Sequence, residues 1–323
     1  MANRDGKIAN PKKTGWRGSL RRGGGGDERY FLGVDGGATR CRARLRAASG
    51  ELIWDAEGPP ANIYVDFDRA LTAIRGAIAK ALESAGLTLA ARSRISLGLG
   101  LAGLSSRQDA ARVAAALPGW ANVAAVNDAV AACLGAHGGA DGGLIIAVTG
   151  TAAIARVKGG DTILGGRGFL LGDDGAAARI GADALRAALR AYDGLEPMTP
   201  LARALLSHFA DDGVAMERWA LTATPSEYGA FAPQTLKAAA AGDSMARPIV
   251  EVAARALGAL VRAVEKLGAP RISMIGGLTA PIRPYLEPEI AAMLSAPMYD
   301  PEDGAILAVG GVLPGLGAAR QTA

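Results

Sequence analysis

The chain of 323 residues holds two cysteines, Cys41 and Cys133, and two histidines, His137 and His208. Two cysteines cannot form a disulfide framework, and so few cysteines and histidines, far apart in the sequence, provide no zinc-ligand cluster. A reducing compartment is the simplest interpretation, and we expect the protein in the cytoplasm. No apolar run approaches the roughly 18 residues of a membrane-spanning helix, so no membrane association is expected.

Excess positive charge is confined to one segment of the chain. Residues 1–29 carry eight of the 35 Lys and Arg and three of the 31 Asp and Glu, which leaves 27 basic and 28 acidic residues elsewhere. The rest of the chain is therefore nearly neutral, and we expect no nucleic-acid partner. The basic segment lacks the apolar centre of a signal peptide and ends in a glycine run, which predicts a disordered leader over residues 1–29.

The remaining sequence shows a regular succession of strand and helix patterns. Short apolar runs separated by turns predict a three-stranded antiparallel meander, and apolar residues spaced by three and four predict the helix that follows it. Strands that then alternate with helices predict parallel pairing. The predicted strands cover residues 30–35, 42–47, 51–57, 94–101 and 122–126, and the predicted helices cover 66–86, 105–117 and 128–136.

The second half of the chain opens in the same way, which indicates a loose internal repeat. A second meander is built around a Thr-Gly-Thr turn, and a long helical region broken by prolines follows it. The predicted elements are strands 143–148, 152–158, 161–164 and 271–275, the helical region at about 174–266, and helices 281–294 and 303–313.

Two polar clusters follow predicted strands in the first half. Residues 35–40 read Asp-Gly-Gly-Ala-Thr-Arg. A glycine-rich turn of this kind lets backbone amides approach a phosphate, and Asp35 could hold Mg²⁺ through water. An ordinary hairpin explains the same residues equally well. Asn127 and Asp128 follow another strand, where open α/β sheets bind ligands, although Asp128 is equally suited to cap the next helix.

Three further turns carry similar chemistry in the second half. The Thr-Gly-Thr turn at 149–151 places two hydroxyl groups beside a glycine, and the Gly-Gly pair at 276–277 ends a strand where a flat nucleoside can lie close to the backbone. Asp173 and Asp174 precede a helix; they suit its dipole, and they also suit sugar hydroxyls or a water on Mg²⁺. Each turn, taken alone, has an ordinary structural explanation.

A competing motif lies in the first half. Gly98, Gly100 and Gly103 match G-x-G-x-x-G after a strand and before a helix, and Asp128 follows about 25 residues later, as in dinucleotide-binding proteins. Against this, Gly98 lies inside the predicted strand, and residues 35–40 would have no role. An NAD-binding oxidoreductase therefore remains an alternative.

The order of the motifs is more informative than any one of them. A D-G-G-x-T hairpin, a strand-end aspartate, a T-G-T hairpin, a G-D-[DE]-G turn and a strand ending in Gly-Gly resemble the BadF/BadG/BcrA/BcrD ATPase family over residues 30–315, and in particular its N-acetylglucosamine and glucosamine kinases. The resemblance implies an α/β fold of the actin/hexokinase superfamily, with two ribonuclease-H-like domains whose mixed five-stranded sheets flank a central cleft. The implied domains are 30–138 and 139–323, the second with a helical insertion at about 174–266.

The resemblance also implies an activity. It predicts a kinase that uses ATP and Mg²⁺ to phosphorylate the 6-hydroxyl group of glucosamine or N-acetylglucosamine. Asp128 matches the catalytic aspartate of the family, and Asp35 would hold Mg²⁺ through water. The implied contacts are Gly36, Gly37, Thr39, Arg40, Thr149, Gly150 and Thr151 for the ATP phosphates, Gly276 and Gly277 for adenosine, and Asn62, Asn127, Asp128 and Asp173 for the sugar.

Several positions depart from the family pattern. In the first loop Ala38 replaces a glycine and Arg40 replaces a lysine. In the kinases of N-acetylglucosamine, an asparagine stands at the position of Ala152 and a tryptophan at that of Arg167, while Asp174 replaces a glutamate. Because the ATP motifs are retained and the sugar motifs differ, the pattern favours a free amino sugar, or another sugar, over a strict preference for N-acetylglucosamine.

Two other functions occur within the same family. Its activators of hydroxyacyl-CoA dehydratases hold an iron–sulfur cluster through cysteines between subunits, whereas Cys41 and Cys133 fall in predicted regular elements. A sugar-sensing protein without catalysis is the other alternative, and the retained Asp35 and Asp128 argue against it. By analogy with the family we also expect a homodimer formed through the helical region at 174–266.

Overall fold

The computed structural model describes residues 29–316, so the leader predicted over residues 1–29 lies outside it apart from Arg29. The described chain forms two five-stranded sheets with helices between and around them. The strands are β1 (Tyr30–Gly36), β2 (Cys41–Ala47), β3 (Leu52–Gly58), β4 (Ile95–Leu101), β5 (Asn122–Asn127), β6 (Gly142–Ala147), β7 (Thr151–Val157), β8 (Gly160–Gly165), β9 (Ile272–Ile275) and β10 (Leu294–Ser295). The helices are α1 (Phe67–Ser84), α2 (Arg107–Ala116), α3 (Asp128–Ala136), α4 (Ala177–Tyr192), α5 (Pro200–Ser207), α6 (Gly213–Ala220), α7 (Pro225–Gly229), α8 (Ala232–Ala240), α9 (Ala246–Lys266), α10 (Thr279–Ile282), α11 (Pro288–Met293) and α12 (Pro301–Ala308).

The first sheet has the order β3-β2-β1-β4-β5. β1, β2 and β3 pair antiparallel, as the meander predicted, while β4 is parallel to both β1 and β5. Asp35 is in register with Gly100, and Leu101 is in register with Asn127. The carboxyl ends of β1, β4 and β5 therefore form one edge, and Asp35 and Asn127 both lie on it.

The second sheet repeats this arrangement with the order β10-β9-β6-β7-β8. β6, β7 and β8 form an antiparallel meander, and β9 is parallel to both β6 and β10. The internal repeat and the pair of mixed five-stranded sheets are thus confirmed.

Local sequence signals set the starts of the first helices. The Asp66 side chain accepts a hydrogen bond from the backbone of α1, and Ser106 with Asp109 forms a capping box at α2. Asn127 caps α3 in the same way. Such caps satisfy backbone N–H groups that have no partner within the helix. They explain why these helices begin close to the predicted positions.

Helices α3 and α12 pack together, and each also contacts strands. α12 lies on β1 and β4 of the first sheet, and α3 contacts β4, β6 and β7. Glycines allow the close approach: a methyl group at Gly304 would overlap the carbonyl oxygen of Ala131, and one at Gly135 would overlap that of Asp300. A helix from the end of the chain thus covers the sheet of the first half. The domain boundary between residues 138 and 139 stays a prediction.

Helices α4 to α9 occupy the region predicted to be helical. They pack with β6 and β7 around one apolar cluster that includes Ile145, Leu185, Leu205 and Leu257. Within the part of the chain that the structure describes, no helix is long and apolar enough to cross a membrane.

Two predicted helices were wrong in extent. The helix predicted over 281–294 is divided into α10, a short 3₁₀ turn at Arg283–Tyr285, α11 and the strand β10. Pro284 and Pro288 explain the division, because proline lacks the N–H group that continues a helix. The helix predicted over 303–313 ends at Ala308, shortly before Gly310, whose φ of 83° is incompatible with a right-handed helix.

His137, which directly follows α3, is expected to make folding stability depend on pH. Its ring is buried and its Nε2 lies 2.8 Å from the carbonyl oxygen of Gly143, and burial lowers its pKa from the usual 6.5. As the pH falls through about 6.5, the unfolded chain takes up a proton before the folded protein does, so folding stability falls. We expect urea unfolding to show a loss of folding stability between about pH 7.5 and pH 5.5 that is smaller in His137→Asn. An equal loss in both proteins would contradict this.

Candidate active site

The edge formed by β1, β4 and β5 brings Asp35 and Asp128 near each other. One strand separates β1 from β5, so the two backbones are about 10 Å apart. Asp128 begins α3 and is half-buried, and its Oδ1 accepts a hydrogen bond of 2.9 Å from the Ala129 amide. Burial raises the pKa of Asp128, the Ala129 amide lowers it and the negative charge of Asp35 raises it, with a net result above the usual 3.8. A carboxylate with a raised pKa is a better proton acceptor.

The two asparagines predicted to contact the sugar lie beside this edge. Asn127 Oδ1 accepts a hydrogen bond of 2.9 Å from Ala129, and its Nδ2 donates to the carbonyl oxygen of Leu104 at 3.0 Å. Asn62 Oδ1 accepts a hydrogen bond of 2.9 Å from the Tyr64 amide. Asn127 therefore already has partners within the protein for both polar groups, while the Nδ2 group of Asn62 is a donor suited to a sugar hydroxyl. Both sugar contacts stay predictions.

The hairpin that joins β1 to β2 is the predicted first phosphate loop. Gly37 donates a hydrogen bond of 2.9 Å to the Arg40 carbonyl oxygen and accepts one of 3.0 Å from the Ala61 amide. Thr39 and Arg40 are exposed, and Arg40 lies 3.8 Å from Glu57. The loop is therefore open to solvent and tied to the segment that carries Asn62.

The hairpin that joins β6 to β7 lies against Asp173. Asp173 Oδ1 accepts a hydrogen bond of 3.2 Å from the Thr151 amide, and a methyl group at Gly150 would lie 3.1 Å from its Oδ2. The φ of Asp173 is 58°, a left-handed conformation that is uncommon outside glycine. The Thr151 hydroxyl is buried and has no hydrogen-bond partner among residues 29–316, whereas Thr149 lines an open cavity. A predicted sugar contact and a predicted phosphate loop thus form one cluster.

The cavity beside Thr149 has a volume of about 970 Å³, within the usual range for small-molecule sites. Gly277 and Leu278 form part of its wall. The preceding Gly276 has a φ of 112°, and a methyl group there would overlap the carbonyl oxygen of Ala147. Helices α8 and α9 supply other parts of the wall that no sequence motif marks, because tertiary packing alone brings them there. Those parts include Ala232, Pro233, Leu236, Lys237 and Arg247.

A second group of residues that sequence reasoning missed lies behind Asp35. Arg42 of β2 places its Nη2 2.9 Å from Asp35 Oδ2 and its Nε 2.7 Å from Oε1 of Glu302 in α12. Burial raises the pKa of Glu302 to about 7, while the positive charge of Arg42 acts in the opposite direction. In the sequence, Arg42 is one of three arginines at alternate positions of a predicted strand, and nothing distinguishes Glu302 from other acidic residues near the start of a helix. Their contact is a product of the tertiary fold.

The cysteines lie away from any exposed cluster. Cys41 in β2 and Cys133 in α3 are both buried, and burial raises the pKa of each to about 12. Because the thiolate is the form that ligates iron, these cysteines are unsuited to hold a cluster between subunits. These two cysteines therefore do not support the alternative function, an activator of hydroxyacyl-CoA dehydratases with an iron–sulfur cluster.

The strand edge that carries Asp35 suits a magnesium ion whose other ligands are water and phosphate oxygens. Mg²⁺ prefers oxygen ligands and usually binds through one or two carboxylates, water and substrate phosphates. Asp35 offers an oxygen ligand of this kind. Among residues 29–316 no group of three or more His, Cys, Asp or Glu could hold a metal ion. Magnesium coordination here would therefore depend on the bound nucleotide.

Comparisons with known proteins agree with this architecture. The model of the BadF/BadG/BcrA/BcrD ATPase family matches residues 32–309. Glucosamine kinase GspK of Vibrio cholerae is 34% identical over 281 residues, which cover 87% of this chain and 96% of that protein.

Solved structures give the same answer for the fold. The crystal structure of a candidate N-acetylglucosamine kinase from Chromobacterium violaceum superposes with a TM-score of 0.82 at 33% identity and covers 88% of this chain and 100% of that one. A ROK family glucokinase from Streptomyces griseus, in complex with glucose and AMPPNP, shares the fold at a TM-score of 0.54 and 19% identity, covering 87% of this chain and 98% of that one. The predicted actin/hexokinase-type fold is thus confirmed, and the chain belongs to the BadF/BadG/BcrA/BcrD ATPase family.

Proposed function

We propose that the protein is an ATP-dependent kinase of amino sugars that phosphorylates the 6-hydroxyl group of glucosamine or N-acetylglucosamine. The observation that carries the proposal is the half-buried Asp128, with its raised pKa, on the same strand edge as Asp35. Membership of an ATPase family implies the use of ATP. The similarity to a glucosamine kinase over most of the chain supports a small sugar as the acceptor.

Asp128 is the proposed base. As the sugar 6-hydroxyl oxygen forms its bond to the γ-phosphorus, the bond from that phosphorus to the β,γ-bridging oxygen breaks and ADP leaves. The hydroxyl proton passes to the Asp128 carboxylate. Ala129, the next residue, belongs to a buried cluster that also contains Leu144 of β6 and Ile154 of β7, so α3 holds Asp128 close to the second sheet. Phosphoryl transfer depends mainly on positioning and charge stabilisation, which a fixed helix start provides.

The two hairpins would bind the phosphates. The Gly150 amide and the hydroxyls of Thr39 and Thr149 are donors suited to phosphate oxygens, whereas the Gly37 amide is used within its own hairpin. Asp35 would hold Mg²⁺ through water, and bound Mg²⁺ neutralises charge that develops on the phosphates. The cavity beside Thr149 would take the adenosine, as expected for Gly276 and Gly277. These roles are carried over from the family pattern.

The sugar would lie between Asn62 and Asp173. Asn62 supplies an amide donor, and Asp173 supplies a carboxylate whose Oδ1 already accepts from the Thr151 amide. Carboxylates accept hydrogen bonds from sugar hydroxyls and attract an ammonium group. The small Ala152 and the exposed Arg167 replace the residues expected for an acetyl pocket, so we infer a preference for glucosamine.

An ADP-release assay with ATP and Mg²⁺ tests the proposal. The acceptors are glucosamine, N-acetylglucosamine, N-acetylmannosamine, N-acetylmuramic acid and glucose. We expect the highest kcat/KM with glucosamine, and phosphorus–proton NMR of the product to show the phosphate on the 6-oxygen. ADP release at the rate of the sugar-free control with all five acceptors would overturn the proposal, and a preference for glucose would overturn the choice of an amino sugar.

Two sequence-based expectations accompany this function. A homodimer formed through the helical region and a cytoplasmic location both stay predictions. Sedimentation of the purified protein tests the first.

A further inference from the structure

Three arginines of β2 form a row of ion pairs with α12. Arg46 binds both carboxylate oxygens of Asp303, at 2.7 and 2.9 Å. Arg44 contacts Asp303 at 2.7 Å and Asp300 at 2.9 Å. These two arginines hold the start of α12 on the first sheet. The third arginine, Arg42, makes a different connection.

Arg42 joins Glu302 to Asp35. Its Nε lies 2.7 Å from Glu302 Oε1, and its Nη2 lies 2.9 Å from Asp35 Oδ2. One guanidinium group therefore serves two carboxylates, of which one is the proposed magnesium residue. The other, Glu302, has 4% of its side chain exposed.

The anchoring of α12 does not require Glu302. Arg44 and Arg46 already bind Asp303, and the glycine contacts of α12 with α3 add further packing. A buried ion pair contributes little net stability, because the hydration that both charges lose offsets their attraction. The Oε2 atom of Glu302 also has no hydrogen-bond partner within residues 29–316. A stability role alone therefore explains this glutamate poorly.

The position of Glu302 is fixed from two sides. A methyl group at Gly33, two residues before Asp35, would overlap the Glu302 carbonyl oxygen, so α12 lies directly on β1. The backbone of Gly304 has the same close approach to Ala131 in α3, the helix that begins with Asp128. Glu302 is thus held by both elements that carry the proposed catalytic carboxylates. Arg42 transmits that fixed position to Asp35.

We propose that Arg42 and Glu302 are positioning residues that orient Asp35 and set its affinity for the divalent cation. The proposal rests on the proposed function, since it assigns the cation to Asp35. The negative charge of Glu302 offsets part of the positive charge of Arg42, so Arg42 does not fully neutralise Asp35. The contact of Arg42 with Oδ2 of Asp35 orients that carboxylate. Loss of Glu302 and loss of Arg42 therefore act on cation affinity in opposite directions.

The test measures how strongly Mg²⁺ promotes nucleotide binding. Titration calorimetry with AMPPNP gives one dissociation constant in EDTA and one in Mg²⁺. The constant in EDTA divided by the constant in Mg²⁺ is the coupling, and it is larger when Mg²⁺ promotes binding more strongly. We expect Glu302→Gln to reduce this ratio by about 10-fold, as changes next to metal ligands do. Arg42→Gln is expected to leave the ratio unchanged or raise it, while kcat falls about 10-fold or more because Asp35 is no longer oriented.

Arg44→Gln is the matched control, since it removes the neighbouring arginine of the same strand and an ion pair with the same helix. It is expected to lower unfolding stability and leave the coupling within about twofold of the unmodified protein. Equal couplings in all four proteins would overturn the positioning role and leave the kinase proposal intact. A loss of coupling in Arg44→Gln equal to that in Glu302→Gln would reduce the role to helix anchoring. Absence of AMPPNP binding by the unmodified protein would overturn the proposed function as well.

Discussion

Replacing Asp128 with asparagine is expected to lower kcat by about 10²- to 10⁴-fold, the usual contribution of a general base. The amide keeps the size and the helix-start position of the carboxylate but cannot accept the hydroxyl proton. KM for ATP should change little, because the role proposed for Asp128 is toward the acceptor and not the nucleotide. Steady-state kinetics with glucosamine as acceptor measures both quantities.

Asp109→Asn provides the matched control. Asp109 lies in the first turn of α2, where its partly exposed carboxylate completes a capping box with Ser106. The same substitution at Asp109 should slightly lower the free energy of unfolding and leave kcat unchanged. A kcat for Asp128→Asn within about tenfold of the unmodified enzyme would contradict the assignment of the base.

The largest effect on stability is expected from Gly98→Ala. The methyl group would overlap the backbone carbonyl of Ala305 in α12, which lies directly on β4. Backbone cannot move aside as a side chain can, so α12 must shift away from the first sheet. We expect a loss of about 3 kcal/mol or more in the free energy of unfolding, at the upper end for overpacked cores. Urea denaturation followed by circular dichroism measures it.

Gly76→Ala is the control for that substitution. Gly76 lies inside α1, and a methyl group there would meet no atom within 4 Å. Alanine has the higher helix propensity, so this variant should be more stable by about 0.5–1 kcal/mol. If Gly98→Ala lowers the free energy of unfolding and Gly76→Ala raises it, the loss is due to the contact between α12 and β4. A stability of Gly98→Ala equal to that of the unmodified protein would show that α12 is not seated on β4.

The same glycines explain why the dinucleotide motif is misleading. Gly98 lies under Ala305 of α12, and Gly100 lies under Ala131 of α3, where a methyl group would overlap its side chain. Gly103 has a φ of 84° and lies close to the side chain of Asn62. All three glycines are thus used for helix packing and a turn, and a sequence pattern cannot distinguish that use from an approach to pyrophosphate.

The predictable parts of the site are those set by local sequence. Asp35 and Asp128 were identifiable because each follows a strand, and the ends of parallel strands meet at one edge of a sheet. The contact of Arg42 with Glu302 was not identifiable, since it joins residues 260 positions apart. The walls of the cavity from α8 and α9 were missed for the same reason. Pro284 lies inside the helix predicted over 281–294, and the structure divides that helix there.

The seat of α12 on the first sheet has a consequence for synthesis of the protein. The chain between Ala136, the end of α3, and Pro301, the start of α12, must be translated before β1 and β4 receive their covering helix. At ordinary elongation rates this interval is on the order of ten to thirty seconds. During that time the uncovered face of the sheet is a surface for chaperones to shield. A nascent chain released before residue 301 would leave its first half unfinished, however complete that half is in sequence.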